Sequence, residues 1–260
     1  MMTRNSVRMK IRTALIFLFT TCAAVPAFAQ DASLPAVGSC AGAPRAKPLF
    51  SGTMDAVGRL PSRSSLGILA LGTVGAIGTH SVDARTTRSF AGDTGLRSTF
   101  QPGAVLGGAP LQMGAAFATY AIGRALNKPC AARLGADLVQ AQLIAQGLSF
   151  AVKTAVRRTR PDGNRFSFPS GHTTVSFATA TILQQHFGWK IGVPAYAVAS
   201  YVAASRVQMK RHYLSDVTFG AALGIIAGRS VPIGHAGRLV LTPVATSDGA
   251  AAGFTWVGRH

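Results

Sequence analysis

Apolar residues in this chain gather into long stretches, not alternating pairs. Such stretches cover roughly 66–80, 104–126, 134–157, 172–187, 191–205 and 213–229. Each is long enough for a helix, and Gly107-Gly108, Pro110, Gly188 and Pro194 punctuate them. Residues 83–103, with Asp83, Arg85, Arg88, Asp93 and Arg97, read as a polar loop. Residues 30–64, rich in Pro, Ala, Gly and Ser, read as an extended lead segment, and 65–230 as the folded domain. The tail, 231–260, changes period. Leu239-Val240-Leu241-Thr242, then Asp248-Gly249, then Phe254-Thr255-Trp256-Val257 predicts two short strands and a turn, a β-hairpin.

The first 29 residues carry the three parts of a secretory signal peptide. Arg4, Arg8, Lys10 and Arg12 make a positive start, Thr13 to Thr21 is apolar, and Ala27-Phe28-Ala29 is a small-x-small cleavage site. An uncleaved anchor helix is the alternative. Cleavage leaves 22 basic against 8 acidic residues, a net charge of +14 where the whole chain has +18. Cys40 and Cys130 then remain as one potential disulfide or two thiols, and there is no CxxC and no His/Cys cluster at zinc spacing.

The excess charge invites a nucleic-acid or anionic-surface reading. It is not one basic run, however, and no nucleic-acid partner is expected. Nor do the apolar stretches read as membrane spans, which need about 20 largely apolar residues. Lys190 and Arg206 bound one short run, His172, Gln184, Gln185 and His186 interrupt another, and glycines and Pro110 split a third. The expectation is an exported, periplasmic domain, soluble or lying on an anionic membrane, with an integral inner-membrane protein as the alternative. Oligomeric state is not legible.

Three segments carry chemistry. The first is Lys153-Thr-Ala-Val-Arg157-Arg158-Thr-Arg160-Pro161, the second Pro169-Ser170-Gly171-His172, and the third Ser205-Arg206 followed by His212 and Asp216. His212 and Asp216 are four apart, so on a helix they share a face, where the carboxylate orients the imidazole and frees its other nitrogen to attack. Ser170 and Gly171 stand just before an apolar stretch, where a capped helix start presents N–H groups to an anion, and His172 there can protonate a leaving oxygen. Lys153, Arg160 and Arg206 suit the charge spread over a phosphoryl group in transfer. Taken singly, each feature has an ordinary explanation: a surface pair, a capped helix, solvated charge. Arg157, Arg158 and Arg165 flank the site, either steering anionic substrate or forming a solvated face.

Together the segments match K-x6-R-P, P-S-G-H and S-R-x5-H-x3-D, and in this the chain resembles the type 2 phosphatidic acid phosphatase (PAP2) superfamily, which includes bacterial acid phosphatases and vanadium haloperoxidases. The resemblance covers 153–216 directly and implies an all-α helical bundle of about six core helices, working without metal or other cofactor. It makes His212 the nucleophile of a phosphohistidine mechanism, Asp216 its partner and His172 the general acid. It assigns phosphate binding to Lys153, Arg160, Ser170, Gly171 and Arg206. The implied substrate is a phosphate ester or pyrophosphate. Lipid phosphates are slightly favoured because a basic chain concentrates at anionic bilayers, and soluble phosphomonoesters are the alternative. A vanadium-dependent haloperoxidase would use the same geometry, but nothing else here calls for oxidation chemistry. A basic surface-binding protein would leave the complete motif unexplained.

Overall fold

The computed structural model describes residues 49–91, 94–233, 238–246 and 249–257. The expected signal peptide, residues 1–29, and the lead segment up to residue 48 lie outside these residues, as do Cys22 and Cys40. Cys130 is disulfide-bonded.

The described chain forms α1 (Leu49–Val57), α2 (Arg63–His80), α3 (Asp83–Phe90), α4 (Arg97–Leu106) and α5 (Ala109–Ala125). After these come α6 (Pro129–Val156), α7 (Gly171–Phe187), α8 (Trp189–Gln208) and α9 (Leu214–Ser230). A two-stranded antiparallel ladder closes the chain, with β1 (Arg238–Thr246) paired to β2 (Gly249–Val257) from Arg238–Val257 to Thr246–Gly249. The expected all-α domain with a terminal hairpin is what forms, although the strands are longer than the tail's apolar pattern indicated.

Two expectations need correction. Residues 49–57, assigned to an extended lead, are helical and pack on α6. The polar loop expected at 83–103 contains α3 and α4. Local pattern could not reveal them, because α3 is strongly polar and α4 contains Pro102. Tertiary contacts hold them instead: Phe90 meets Phe100 edge-on at 5.2 Å, and Phe100 stacks on Tyr201 of α8 at 5.6 Å.

Helices α6, α7 and α9 form the centre, with α8 against α7, α2 against α9 and α5 against α6. One core cluster joins Ile144, Val175, Ile182 and Ala227, and another joins Phe177, Val207, Leu214 and Val217. The α7–α9 contact sets the site. A Cβ placed on Gly224 would stand 2.3 Å from the Thr174 carbonyl oxygen, and one on Gly220 2.9 Å from that of Ser170. Only glycine permits this approach, which brings the first turns of both helices together. Between α5, α6 and α7, Gln112, Gln142, Ser176 and Thr179 are joined by hydrogen bonds of 2.7 to 3.1 Å.

Among the described residues no single helix is long and apolar enough to cross a membrane. Two bent pairs pass that test jointly, α2 with α3 (68°) and α4 with α5 (46°).

Candidate active site

The three segments converge where the C-terminal ends of α6 and α8 meet the first turns of α7 and α9. Helix α6 stops at Arg157, whose left-handed φ of 51° turns the chain. The loop that follows is pinned by Ser167 N donating to the Arg158 carbonyl at 2.7 Å and Arg160 N to that of Asn164 at 2.7 Å. Lys153 reaches over this loop, its Nζ donating to the carbonyls of Phe166 (3.1 Å) and Pro169 (2.5 Å). Burial, reinforced by Arg160, lowers its pKa to about 8.

Ser170 stands at the N-cap of α7, but its hydroxyl accepts from Thr173 Oγ1 at 3.0 Å instead of capping a backbone amide. Its own backbone N–H donates to the Asp216 carbonyl at 3.1 Å, a direct main-chain tie between α7 and α9. His172 follows on the first turn of α7, with the Ala104 carbonyl of α4 as its backbone partner. Burial, then the positive charge of Arg206 and the neighbouring His212, lower its pKa to about 4.

His212 does not lie on a helix with Asp216, as the spacing suggested; it stands two residues before α9. Its Nδ1 is 2.6 Å from the Ser167 carbonyl and 3.6 Å from Asp216 Oδ2. A carbonyl can only accept, so Nδ1 carries the proton and Nε2 keeps its lone pair in the neutral ring. The ring is 2% exposed, and burial lowers its pKa to about 4 against the opposing pull of Asp216.

Asp216 is fully buried, and burial alone would raise its pKa. Hydrogen bonds and charge outweigh this and hold it below the usual carboxylate range. Its Oδ2 accepts from the Ser167 hydroxyl and from Tyr213 N at 2.8 Å, and its Oδ1 from Arg158 Nη1 at 2.7 Å.

Arg206 lies in the last turn of α8, and its carbonyl accepts from the amides of Arg211 and His212, folding the chain back so that His212 follows it closely. Burial and the charges of Arg211 and Arg160 lower its pKa to about 10. The Nε atoms of Arg160 and Arg206 are buried and have no hydrogen-bond partner among the described residues. Two buried guanidinium N–H groups in that condition, beside Lys153 and two imidazoles, suit a multiply charged oxyanion. A cavity of about 220 Å³ opens beside Lys153, Gly171 and His172, walled by Gly107, Ala109, Phe150 and Val175 with Gln146 and Ser149. No cluster of three or more His, Cys or Asp side chains that could hold a metal occurs among the described residues.

All eight residues singled out from the sequence therefore meet at one place. Sequence reasoning missed three more. Ser167 supplies both a carbonyl to His212 and a hydroxyl to Asp216. Arg158 turns inward, neither steering nor solvated, and Asp83 at the start of α3 binds it at 2.8 Å. The available signal was scarcity, because the chain has 8 acidic residues against 26 basic. Asp83, Asp137, Asp162 and Asp216 each pair with a His or Arg.

The chain is similar to proteins of known family. Residues 134–238 match the family model of the PAP2 superfamily. A Porphyromonas gingivalis lipid A 1-phosphatase is 43% identical over 86 residues, 32% of this chain and 19% of that protein. A Mycolicibacterium smegmatis decaprenylphosphoryl-5-phosphoribose phosphatase is 30% identical over 135 residues, 46% of this chain and 73% of that one. The chain spans 19% to 58% of the length of the first curated relatives that it matches. The transmembrane PAP2-type phosphatidylglycerolphosphate phosphatase from Bacillus subtilis shares the fold, with a TM-score of 0.52 and 19% identity over 70% of this chain and 92% of that one.

Proposed function

The chain belongs to the PAP2 superfamily, and on that footing we propose that it hydrolyses phosphate esters or pyrophosphates, lipid phosphates by preference, through a phosphohistidine at His212. One observation carries the reading: a buried imidazole with its Nδ1 proton committed to a carbonyl lies beside the unpartnered guanidinium N–H groups of Arg160 and Arg206. Nε2 of His212 attacks phosphorus while the bond to the leaving oxygen breaks, and Asp216 stabilises the imidazolium that forms. Lys153, Arg160, Arg206 and the amides at the start of α7 neutralise the equatorial oxygens, supplying the positive charge that metals supply in other phosphoryl-transfer sites.

His172 gives the leaving oxygen its proton and then takes one from the water that cleaves the phosphohistidine, releasing inorganic phosphate. Its low pKa in the free protein suits this role only once substrate is bound. A phosphate dianion held beside it favours the imidazolium, so the acid is charged when there is something to protonate.

Three features support a lipid substrate and an exported site. The cavity beside His172 is largely apolar and ends at the exposed Phe150. Helices α2 and α5 expose Leu66, Leu71, Val74, Ile77, Leu111, Phe117 and Ile122, a surface that suits contact with a membrane. The disulfide at Cys130 fits an oxidising compartment, in keeping with the expected signal peptide. The relatives named above act on lipid A and on a decaprenyl-linked sugar phosphate.

The test is labelling with a radiolabelled phosphate ester, stopped with denaturing detergent at alkaline pH, followed by a phosphate-release panel. Alkali-stable, acid-labile label should form on the wild type and be absent from His212→Ala, while turnover survives EDTA and is inhibited by vanadate. Label persisting in His212→Ala, or activity lost to chelation and restored by metal, overturns the reading. Phosphatidic acid, phosphatidylglycerophosphate and isoprenoid pyrophosphate should outrank soluble esters in kcat/KM.

A further inference from the structure

We propose that Arg158 and Asp83 are positioning residues for the nucleophile: Asp83 holds Arg158, and Arg158 holds the Asp216 carboxylate that faces His212. The inference rests on His212 being the nucleophile, and goes beyond it. Arg158 occupies one of the unspecified positions between Lys153 and Arg160, and Asp83 lies outside the stretch that matches the family model.

Arg158 makes a fork. Nη1 donates to Asp216 Oδ1 and to Ser215 Oγ, both at 2.7 Å, and Nη2 donates to Asp83 Oδ2 at 2.8 Å. Its guanidinium also lies over the Tyr213 ring, 4.1 Å from the centroid. Asp83 completes the frame, with Oδ1 accepting from Ser215 N at 2.9 Å and Oδ2 from Ser215 Oγ at 2.5 Å. The two residues thus grip Tyr213, Ser215 and Asp216, the residues that follow His212.

The division of labour on Asp216 is what matters. Arg158 occupies Oδ1, so the carboxylate plane is fixed with Oδ2 turned to His212 and to the Ser167 hydroxyl. A carboxylate held at one oxygen only could rotate away from the ring. A planar guanidinium can bind two carboxylates at once, and an amine at this position could not reproduce that geometry. Asp83 in turn balances the charge of Arg158, which would otherwise oppose a cation forming on His212.

These roles give opposite electrostatic signatures. His212 interacts with Lys153 of α6, His172 of α7, Arg206 of α8 and its own partner Asp216, with Arg158 and Asp83 behind that carboxylate. Removing the Arg158 charge favours the imidazolium, since Asp216 keeps its bonds from Ser167 and Tyr213 and stays ionised. Removing the Asp83 charge leaves Arg158 drawing on Asp216 alone, and so disfavours the imidazolium.

The experiment measures Arg158→Gln, Asp83→Asn and Arg158→Lys in the full chain, by histidine-resolved NMR titration of the unliganded protein and by kcat and KM on a soluble ester. Arg158→Gln should raise the His212 pKa from about 4, and Asp83→Asn should lower it. For both, kcat should fall on the order of 10- to 100-fold, as outer partners of an orienting hydrogen-bond chain commonly cost, with KM little changed. Arg158→Lys should restore the titration but only part of kcat.

Shifts in the same direction, no shift, or a loss confined to KM overturn the inference. If Arg158→Gln does not fold, Asp83→Asn and Arg158→Lys carry the same measurement. Titration needs no turnover, so a wild type inactive on every ester would sink the proposed function while leaving this inference to its own readout.

Discussion

Helices α2 and α9 pack against each other, yet they bury opposite kinds of surface. Of its 18 residues α2 buries Ser65, Gly72, Ala76 and Thr79, and turns Leu66, Leu71, Val74 and Ile77 outward. Its neighbour, with 17 residues, buries Leu214, Val217, Leu223, Ile225 and Ile226 together with Ser215 and Asp216. In water the outward face of α2 would be the wrong way round, because exposing large aliphatic side chains forgoes about 1.5–3 kcal/mol each. The arrangement becomes consistent when the outer helices meet an apolar medium and the inner ones meet substrate. Polar chemistry then sits on α9, α7 and the ends of α6 and α8, and small residues on α2 serve only to let the two helices close.

If that division is right, the two helices should respond to substitution in different assays. The largest effect belongs at the inner end. His212→Ala should lower turnover by at least about 10³-fold, since no covalent intermediate forms, and Asp216→Asn by less, because the nucleophile remains. Steady-state rates on any accepted substrate measure this, and wild-type activity in Asp216→Asn would break the pairing.

Next comes His172. Its replacement by Ala should cost about 10²-fold on an alkyl phosphate and much less on p-nitrophenyl phosphate, whose leaving group needs no proton. Equal losses on the two esters would reduce His172 to a phosphate-positioning role.

The packing difference gives a third contrast. Gly224→Ala forces a methyl into the Thr174 backbone and should destabilise by about 1–3 kcal/mol. Gly67→Ala on α2 meets nothing within 4 Å, and should stabilise by about 0.4–1 kcal/mol. Thermal melts in a single detergent decide the pair, and equal effects would deny the difference in closeness.

Within the site, pH offers a finer test. The folded-state pKa of Lys153 is lowered to about 8, so its charge is present below that value and lost as pH rises through it. On p-nitrophenyl phosphate, whose departure needs no proton from His172, kcat/KM should therefore fall above pH 8, and at the acid end below about 4, where His212 gains a proton. An alkaline limb unchanged in Lys153→Arg would assign that limb to another group.

The smallest effect lies outermost. Val74→Ser or Ile77→Ser should leave turnover of a soluble ester intact and weaken binding to anionic vesicles by about 1–2 kcal/mol each. Vesicle co-sedimentation measures it, and unchanged binding would remove the outward face of α2 from the membrane contact.

The same contrast explains what could be read from the sequence. Lys153, Arg160, Ser170, Gly171, His172, Arg206, His212 and Asp216 were legible because they fall at recognisable spacings in three short segments that the fold brings together. Helices α6 to α9 were legible as long apolar stretches. Asp83 and Arg158 were not, because the contact that gives them meaning joins positions 75 residues apart. Ser167 was hidden because half of its role belongs to a backbone carbonyl, which every residue has. Helices α3 and α4 depend on Phe90, Phe100 and Tyr201 meeting in space, and α3 is too short and polar for its amphipathic pattern to stand out.

The hydrogen bond from Ser170 N to the Asp216 carbonyl has an evolutionary consequence. It joins the first turns of α7 and α9 through main-chain atoms alone, so among side-chain replacements only proline at position 170, which has no N–H, deletes it. The cavity wall is built differently, from Gly107 just after α4, Ala109 on α5, and Gln146 and Phe150 on α6, where only side chains, or a glycine's lack of one, define the shape. Descendants of this chain can remodel that wall to accept a new leaving group while the reacting atoms keep their alignment.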